Sequence, residues 1–264
     1  FVLGEAVAGI PARLTAQASL TLQPDPAQLD ASATIRRLDQ GGDIALRIGF
    51  QPDANRLEVS ITASEPAGGL VANLLKLPGA PPVSLTIQGN GPFDNFTANG
   101  TLDIGSERAA TLSASTQTTA DGRRVAADLT ALTAPFVPEN YLGVVGNELQ
   151  LQANVLLRDD GVIAIDAGRL QSGNLDLTAS GTLDRNGAGN DLTVALRTDA
   201  GNPIPLGFGS TGARTSLEIA SLDARLTGAF ASAGIDLSAA ARTVGFENYV
   251  LNEVAATARS GSFD

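Results

Sequence analysis

The 264-residue sequence contains no cysteine, histidine, methionine or tryptophan, and aromatic residues make up only 4% of it. Without cysteine there can be no disulfides and no thiolate metal sites, and without histidine the commonest metal ligand and general base is missing. We therefore expect no bound metal, no cofactor and no enzymatic activity. The apolar side chains are mainly those of leucine, isoleucine, valine and alanine.

Positive charge is also scarce, because 17 lysines and arginines stand against 28 aspartates and glutamates, which gives a formal net charge of −11. Nucleic acids and anionic membrane surfaces both attract lysine and arginine, so neither is an expected partner. No apolar run approaches the roughly 18–20 residues that a membrane-spanning helix needs, and no signal-peptide pattern is present. We expect any membrane anchor to lie elsewhere in a larger protein.

The chain is rich in segments that alternate apolar and polar residues. Between Ala12 and Leu22 every even position is apolar and every odd position is polar. Successive side chains of a strand point to opposite faces, so this pattern predicts a strand with one apolar and one polar face. About sixteen such segments follow one another with turn residues between them, which is typical of an antiparallel meander.

Two interruptions of this pattern predict short helices. Residues 69–77 carry Leu70, Val71, Leu74 and Leu75 at helical spacing and are followed by Pro78. A second helical turn is predicted within 136–146. We interpret the first helix as a lid that protects the sheet.

The stretch ANGTLD at 98–103 is echoed by ASGTLD at 179–184, which indicates a loose internal repeat. We therefore interpret residues 1–264 as one continuous, repetitive β segment of a larger protein. Open sheets of this size must curl, split or close. The predicted fold is all-β, with a long, strongly curled antiparallel sheet that forms an elongated hydrophobic groove.

The inward-facing apolar positions are the candidate lining of this groove. An ordinary core, in which these side chains fill one another's space, and a partly unfilled trough suited to lipid acyl chains both fit the periodicity. The candidate lining residues are Leu14, Leu20, Leu22, Ile35, Ile44, Leu46, Ile48, Leu57, Val59, Ile61, Val83, Leu85, Ile87, Phe96, Leu102, Leu112, Leu129, Leu149, Leu151, Val155, Leu175, Leu177, Leu183, Leu192, Val194, Leu196, Leu226, Ile235 and Leu237.

Three glycines, Gly100, Gly181 and Gly228, have the same inward phase, and each could mark either a bend of the sheet or room for a ligand. The carboxylates at 159–160, at Asp121 and at Asp53 sit beside turn residues and are interpreted as turn formers rather than catalytic groups.

The arginine pairs at 36–37 and 123–124 are interpreted as solvated strand ends.

Several stretches resemble a known family of proteins. These are the segment TASEP at 62–66, the leucine-rich helix that ends in LPG at 77–79, and PPVSL and GNGP at 81–85 and 89–92. Together with the strand cadence NGTLD at 99–103, they are similar to bacterial TamB proteins of the wider AsmA-like group.

The resemblance implies a large periplasmic protein, anchored in the inner membrane of a Gram-negative bacterium, that reaches toward a TamA or BamA-like outer-membrane protein. Its sheet would curl into a β-taco with a hydrophobic groove that takes phospholipid acyl chains. Such proteins are linked to phospholipid transport, outer-membrane biogenesis and protein secretion, and the family offers no catalytic residues to carry over.

Three functions are open at this point. The chain could be a conduit for phospholipid, a chaperone-like scaffold that helps outer-membrane proteins or autotransporters to insert, or a purely structural surface β-solenoid. Contact with an outer-membrane partner would involve other parts of the parent chain.

Overall fold

A computed structural model describes residues 2–4, 10–137, 142, 145–184, 189–198, 204–207, 214–229, 232–246 and 248–260. Within these ranges the protein is all-β, as the alternation predicts, and every described strand pair is antiparallel. The strands are β1 (Val2–Leu3), β2 (Ala12–Pro24), β3 (Ala27–Arg37), β4 (Asp43–Gln51), β5 (Arg56–Glu65), β6 (Val83–Pro92), β7 (Asn95–Ile104), β8 (Glu107–Thr119), β9 (Gly122–Leu132), β10 (Glu148–Arg158), β11 (Val162–Ser172), β12 (Leu175–Asp184), β13 (Asn190–Thr198), β14 (Ile204–Gly207), β15 (Arg214–Gly228), β16 (Gly234–Phe246) and β17 (Tyr249–Ser260).

The chain forms two compact units. The first comprises Phe1–Thr118 and Leu129–Phe136, and the second comprises Thr119–Asp128 and Val137–Asp264. In the first unit each of the strands β1 to β7 pairs with the next one along the chain. This is the meander that short, turn-rich connections favour, since antiparallel neighbours need only tight turns.

The second unit repeats the same arrangement with one departure. Strands β10 to β13 pair in chain order, and β13 then pairs with residues 221–228 of β15. The short strand β14 pairs with residues 214–217, at the other end of β15. Strands β16 and β17 complete this ladder.

The first predicted helix is present but shorter than expected. Helix α1 (Leu70–Leu74) begins after Gly69, and its C-cap is Leu75. The prediction of 69–77 was therefore too long, because Lys76 adopts a left-handed backbone conformation with φ of 54° that no helix can continue.

For the second predicted helix, Leu142 and Val145 are helical, while residues 134–136 form a turn. Residues 138–141 and 143–144 lie outside the described residues. Within the described ranges, no helix has the length and hydrophobicity to cross a bilayer.

Candidate functional site: an apolar sheet face

The apolar side chains of the first unit share one face of its sheet. Residues directly opposite each other on antiparallel strands point to the same side, so the strand registers extend the pattern of each strand across its neighbours. Ile61 of β5, for example, lies between Leu46 of β4 and Ile87 of β6. Three such rows cross β2 to β8: Leu20, Ala31, Ile48, Val59, Gly89, Ala98, Ala114; Ala18, Ala33, Leu46, Ile61, Ile87, Gly100, Leu112; and Ala16, Ile35, Ile44, Ala63, Leu85, Leu102, Ala110.

The other candidates of the first unit flank these rows. Leu22 and Leu57 continue the same face on one side, through Leu29 and Phe50. Val83 lies on the other side, opposite Glu65 and Ile104. Leu129 is a half-buried residue of β9.

Most side chains of this face are half-buried. Among the candidates of the first unit only Leu14, Val83 and Phe96 are buried, whereas Leu20 and Leu22 are 64% and 65% exposed. No large side chain of the described residues is fully buried. A filled sandwich core would bury its aliphatic residues almost completely. The rows therefore present apolar surface that water still reaches.

The second unit has an equivalent apolar face. Leu177 of β12 lies between Leu170 of β11 and Leu196 of β13, and Leu196 is opposite Leu222. The rows here are Leu151, Leu170, Leu177, Leu196, Leu222, Ala239; Ala153, Gly168, Ala179, Val194, Ala224, Leu237; and Val155, Ile165, Gly181, Leu192, Leu226, Ile235.

The remaining candidates of the second unit flank these rows. Leu183 pairs with Ile163, and Leu149 and Leu175 both lie opposite Ser172. Ile235 and Leu237 are among the exposed members of the face, at 40% and 37%.

The inward glycines differ in what they do. Gly181 and Gly228 have φ of 128° and 82°, which L residues rarely adopt, and Gly181 pairs with Ile165 where the register of β11 shifts. Both are therefore sites of backbone distortion, as the bend interpretation predicts. Gly100 instead marks a close approach, because a Cβ there would lie 3.2 Å from Cγ1 of Ile87.

Helix α1 covers one margin of the apolar face of the first unit. Ala72, Leu77 and Val83 form a buried cluster, against which Leu102 and Ile104 pack. The helix has no capping side chain of its own, but the buried Glu65 accepts a hydrogen bond of 2.7 Å from the N–H of Val71. This carboxylate of β5 replaces an N-cap and ties the helix to the sheet.

The opposite face carries the charged groups. Arg36 of β3 pairs with Asp43 of β4 at 2.8 Å, and Arg225 of β15 pairs with Asp191 of β13 at 2.9 Å. A hydrogen bond from Arg225 lowers the pKa of Asp191, just as one from Arg169 lowers the pKa of Asp176. Exposed ion pairs of this kind contribute little to the stability of the fold. Their positions show which face of each sheet is turned toward solvent.

Two charged groups, Glu65 and Arg37, depart from this division, and the expectation for Arg37 was wrong. Arg37 ends β3 on the apolar side, directly opposite Leu14, and is only 4% exposed instead of being a solvated strand end. Its guanidinium donates from Nε and Nη2 to Asp39, at 3.1 Å each. Arg37 is two residues from Ile35 on β3, so both side chains point to the same face. This spacing is the feature of the sequence that could have predicted the burial of Arg37. The neighbouring Arg36 is exposed, as expected.

Two of the carboxylates beside turns accept backbone hydrogen bonds, Asp160 within its own turn and Asp53 from the start of β3. Asp53 accepts a hydrogen bond from the N–H of Ala27 at 3.0 Å, and Asp160 accepts one from the N–H of Val162 at 3.0 Å. In the part of the chain that the structure describes, no three acidic residues form a group that could hold a metal ion. The extended feature that could bind something is the apolar face itself.

Comparison of the chain with protein-family models, curated proteins and solved structures finds no match.

Proposed function

We propose that this chain is a segment of a periplasmic, TamB-like bridge whose apolar face carries phospholipid acyl chains between the inner and outer membranes. The observation that supports this most is the set of in-register rows of aliphatic side chains that remain half-exposed. In this proposal the sheet curls around the lipid tails into an elongated, taco-like groove, and the headgroups stay in water along its open side.

Aliphatic rows suit acyl chains energetically. Each methylene that leaves water for an apolar surface contributes about 0.8 kcal/mol, without any requirement for a particular geometry. Ile61, Ile87 and Leu46 offer nearly equivalent surface to any segment of a tail. A uniform lining gives no deep minimum at one position, so it favours sliding along the face over storage at one point.

The role is non-catalytic in this proposal. The chain has no histidine or cysteine, and the carboxylates described above are engaged in turns or ion pairs. The parent protein would be anchored in the inner membrane, and other parts of it would meet a TamA-like outer-membrane protein. Through that bridge the chain would support outer-membrane biogenesis.

A chaperone-like scaffold for outer-membrane proteins is the alternative, and β17 favours it. Tyr249, Val250 and Leu251 are 73%, 62% and 60% exposed, and the described partner of β17 is β16. An exposed strand of this kind could accept a strand of an unfolded client by β-augmentation. Crosslinks from β17 to unfolded outer-membrane proteins, without lipid on the apolar rows, would favour this alternative.

The test is mass spectrometry of lipids that co-purify with the protein. Leu85→Glu puts a charge in the third row of the first unit and should abolish phospholipid binding, because an unpaired charge cannot be covered by an acyl chain. Thr86→Glu, one residue along on the polar face, should keep the lipid. Phospholipid on a folded Leu85→Glu variant, or none on the wild-type protein, would overturn the proposal.

A further inference from the structure

Arg37 is a charged side chain at the margin of a mostly aliphatic face. It lies directly opposite Leu14 and two residues beyond Ile35, which belongs to the third row of the first unit. Its side chain is 3% exposed, and Ala12 and Leu14 nearby are buried as well. Arg37 is therefore held beside the apolar row of Ala16, Ile35 and Ile44, two residues further along β3.

The hydrogen bonds of Arg37 are incomplete. Nε and Nη2 donate to the two carboxylate oxygens of Asp39, which also accepts the N–H of Arg13 at 3.2 Å. Nη1 is buried and donates to no acceptor among the residues that the structure describes. A buried donor without an acceptor costs free energy, so such a group calls for a physical explanation.

The charge of the pair limits which acceptor suits Nη1. Asp39 and Arg37 neutralise each other, so a further anion would give up part of its hydration to reach the buried Nη1 and would find no net positive charge there. An uncharged oxygen avoids that cost and still accepts the hydrogen bond. In a phospholipid, the uncharged acceptor next to the acyl chain is the carbonyl oxygen of its ester.

We propose that Nη1 of Arg37 binds the acyl ester carbonyl of a lipid whose tail lies along the row of Ala16, Ile35 and Ile44. This inference rests on the proposed function. It adds a polar group that holds a lipid at one position of a mostly aliphatic face. Since Nη1 is enclosed, binding includes a small outward movement of the side chains around it. Arg37 thereby fixes how far along the face the ester of a bound lipid comes to lie.

The experiment compares two lipids that differ only in the ester carbonyl. Vesicles contain equal amounts of a diacyl phosphatidylcholine and of the dialkyl ether phosphatidylcholine with the same chain length. The lipid transferred to the full protein is separated from the vesicles and quantified by mass spectrometry. The ratio of ester to ether lipid on the protein measures the discrimination directly.

The wild-type protein should prefer the ester lipid by about tenfold, the effect of one hydrogen bond to a charged donor. The double variant Arg37→Met with Asp39→Asn removes the donor without leaving a buried charge, and the amide oxygen introduced at position 39 keeps an acceptor for the N–H of Arg13. It should bind both lipids equally. Arg36→Met with Asp43→Asn removes the neighbouring pair on the polar face and should keep the preference.

The outcomes separate the two proposals. Equal binding of both lipids by the wild-type protein, or an unchanged preference in the Arg37 and Asp39 double variant, would overturn the carbonyl site and leave the conduit intact. Transfer of neither lipid would overturn the conduit and the carbonyl site together. A lower carbonyl stretching frequency of ¹³C-labelled ester on the wild-type protein than on the double variant would support the hydrogen bond independently.

Discussion

The ring of Phe96 in β7 lies over Gly89 in β6. A Cβ added at Gly89 would come within 2.4 Å of Cζ of Phe96 and within 2.7 Å of the carbonyl oxygen of Thr97. Phe96 is only 8% exposed, so it is among the best-covered large side chains of the apolar face. Because glycine has no side chain, it leaves the space that the ring fills. This packing helps to fix the register between β6 and β7.

Gly89→Ala should therefore destabilise the protein by about 1–3 kcal/mol, since the new methyl group overpacks a site that includes immobile backbone. Urea unfolding followed by circular dichroism measures this. Gly91→Ala is the matched control on the same strand and face, because a Cβ there meets only the carbonyl oxygen of Asn95 at 3.8 Å. Equal effects of the two substitutions would contradict the packing of Phe96 on Gly89.

Gly181 and Gly100 should respond differently to the same substitution. Gly181 has φ of 128°, and a Cβ there would lie 2.0 Å from the carbonyl oxygen of Asp191, so Gly181→Ala requires the backbone to move. At Gly100 the nearest atom is a side-chain carbon 3.2 Å away. We expect a much larger fall in melting temperature for Gly181→Ala. Comparable melting temperatures would show that Gly181 is not a distorted position.

Glu65 should control the order of helix α1. Glu65→Ala removes the acceptor for the N–H of Val71 and leaves a helix start without a cap, which costs about 0.5–2 kcal/mol. Hydrogen exchange at residues 70–77 should accelerate in this variant. Glu65→Gln keeps an oxygen at the same place and should exchange nearly as the wild-type protein does. Unchanged exchange in Glu65→Ala would mean that the cluster around Ala72 holds the helix alone.

The Arg37 and Asp39 pair gives the protein an acid-sensitive element. Hydrogen bonds from Arg37 lower the pKa of Asp39 from 3.8 to about 2. A carboxyl group whose pKa is lower in the folded state stabilises the fold above its unfolded pKa, and this contribution is lost as the pH falls from 3.8 toward about 2. The urea midpoint should fall less steeply across that window in Asp39→Asn and in Arg37→Met. If the urea midpoint fell with pH as steeply in both variants as in the wild-type protein, the pairing of Arg37 with Asp39 would be contradicted.

Much of this arrangement could be predicted from the sequence. The alternation of apolar and polar residues predicts which side chains of a strand share a face. Once neighbouring strands pair in chain order, it also predicts the row through Leu46, Ile61 and Ile87. Helix α1 was predicted too long, because the chain leaves the helix at the left-handed Lys76, where the N–H of Leu77 bonds back to the carbonyl oxygen of Ala72, and apolar periodicity does not record such an ending.

The position of Arg37 was missed for a related reason. A charged residue at a strand end is normally solvated, and among the described residues the carboxylate of Asp39 is the partner that makes the burial of Arg37 tolerable. The pairing around β14 was not predicted either, because β13 and β14 pair with different ends of the longer β15, and no local sequence pattern records that arrangement.

The central claim is that the apolar rows touch lipid tails, and site-specific photocrosslinking in cells tests it most directly. A benzophenone amino acid in place of Ile87, within the second row of the first unit, should form adducts with phospholipid acyl chains that mass spectrometry identifies. The same amino acid in place of Thr86, on the polar face one residue away, should form none. Protein adducts only, or equal lipid adducts from both positions, would contradict the account.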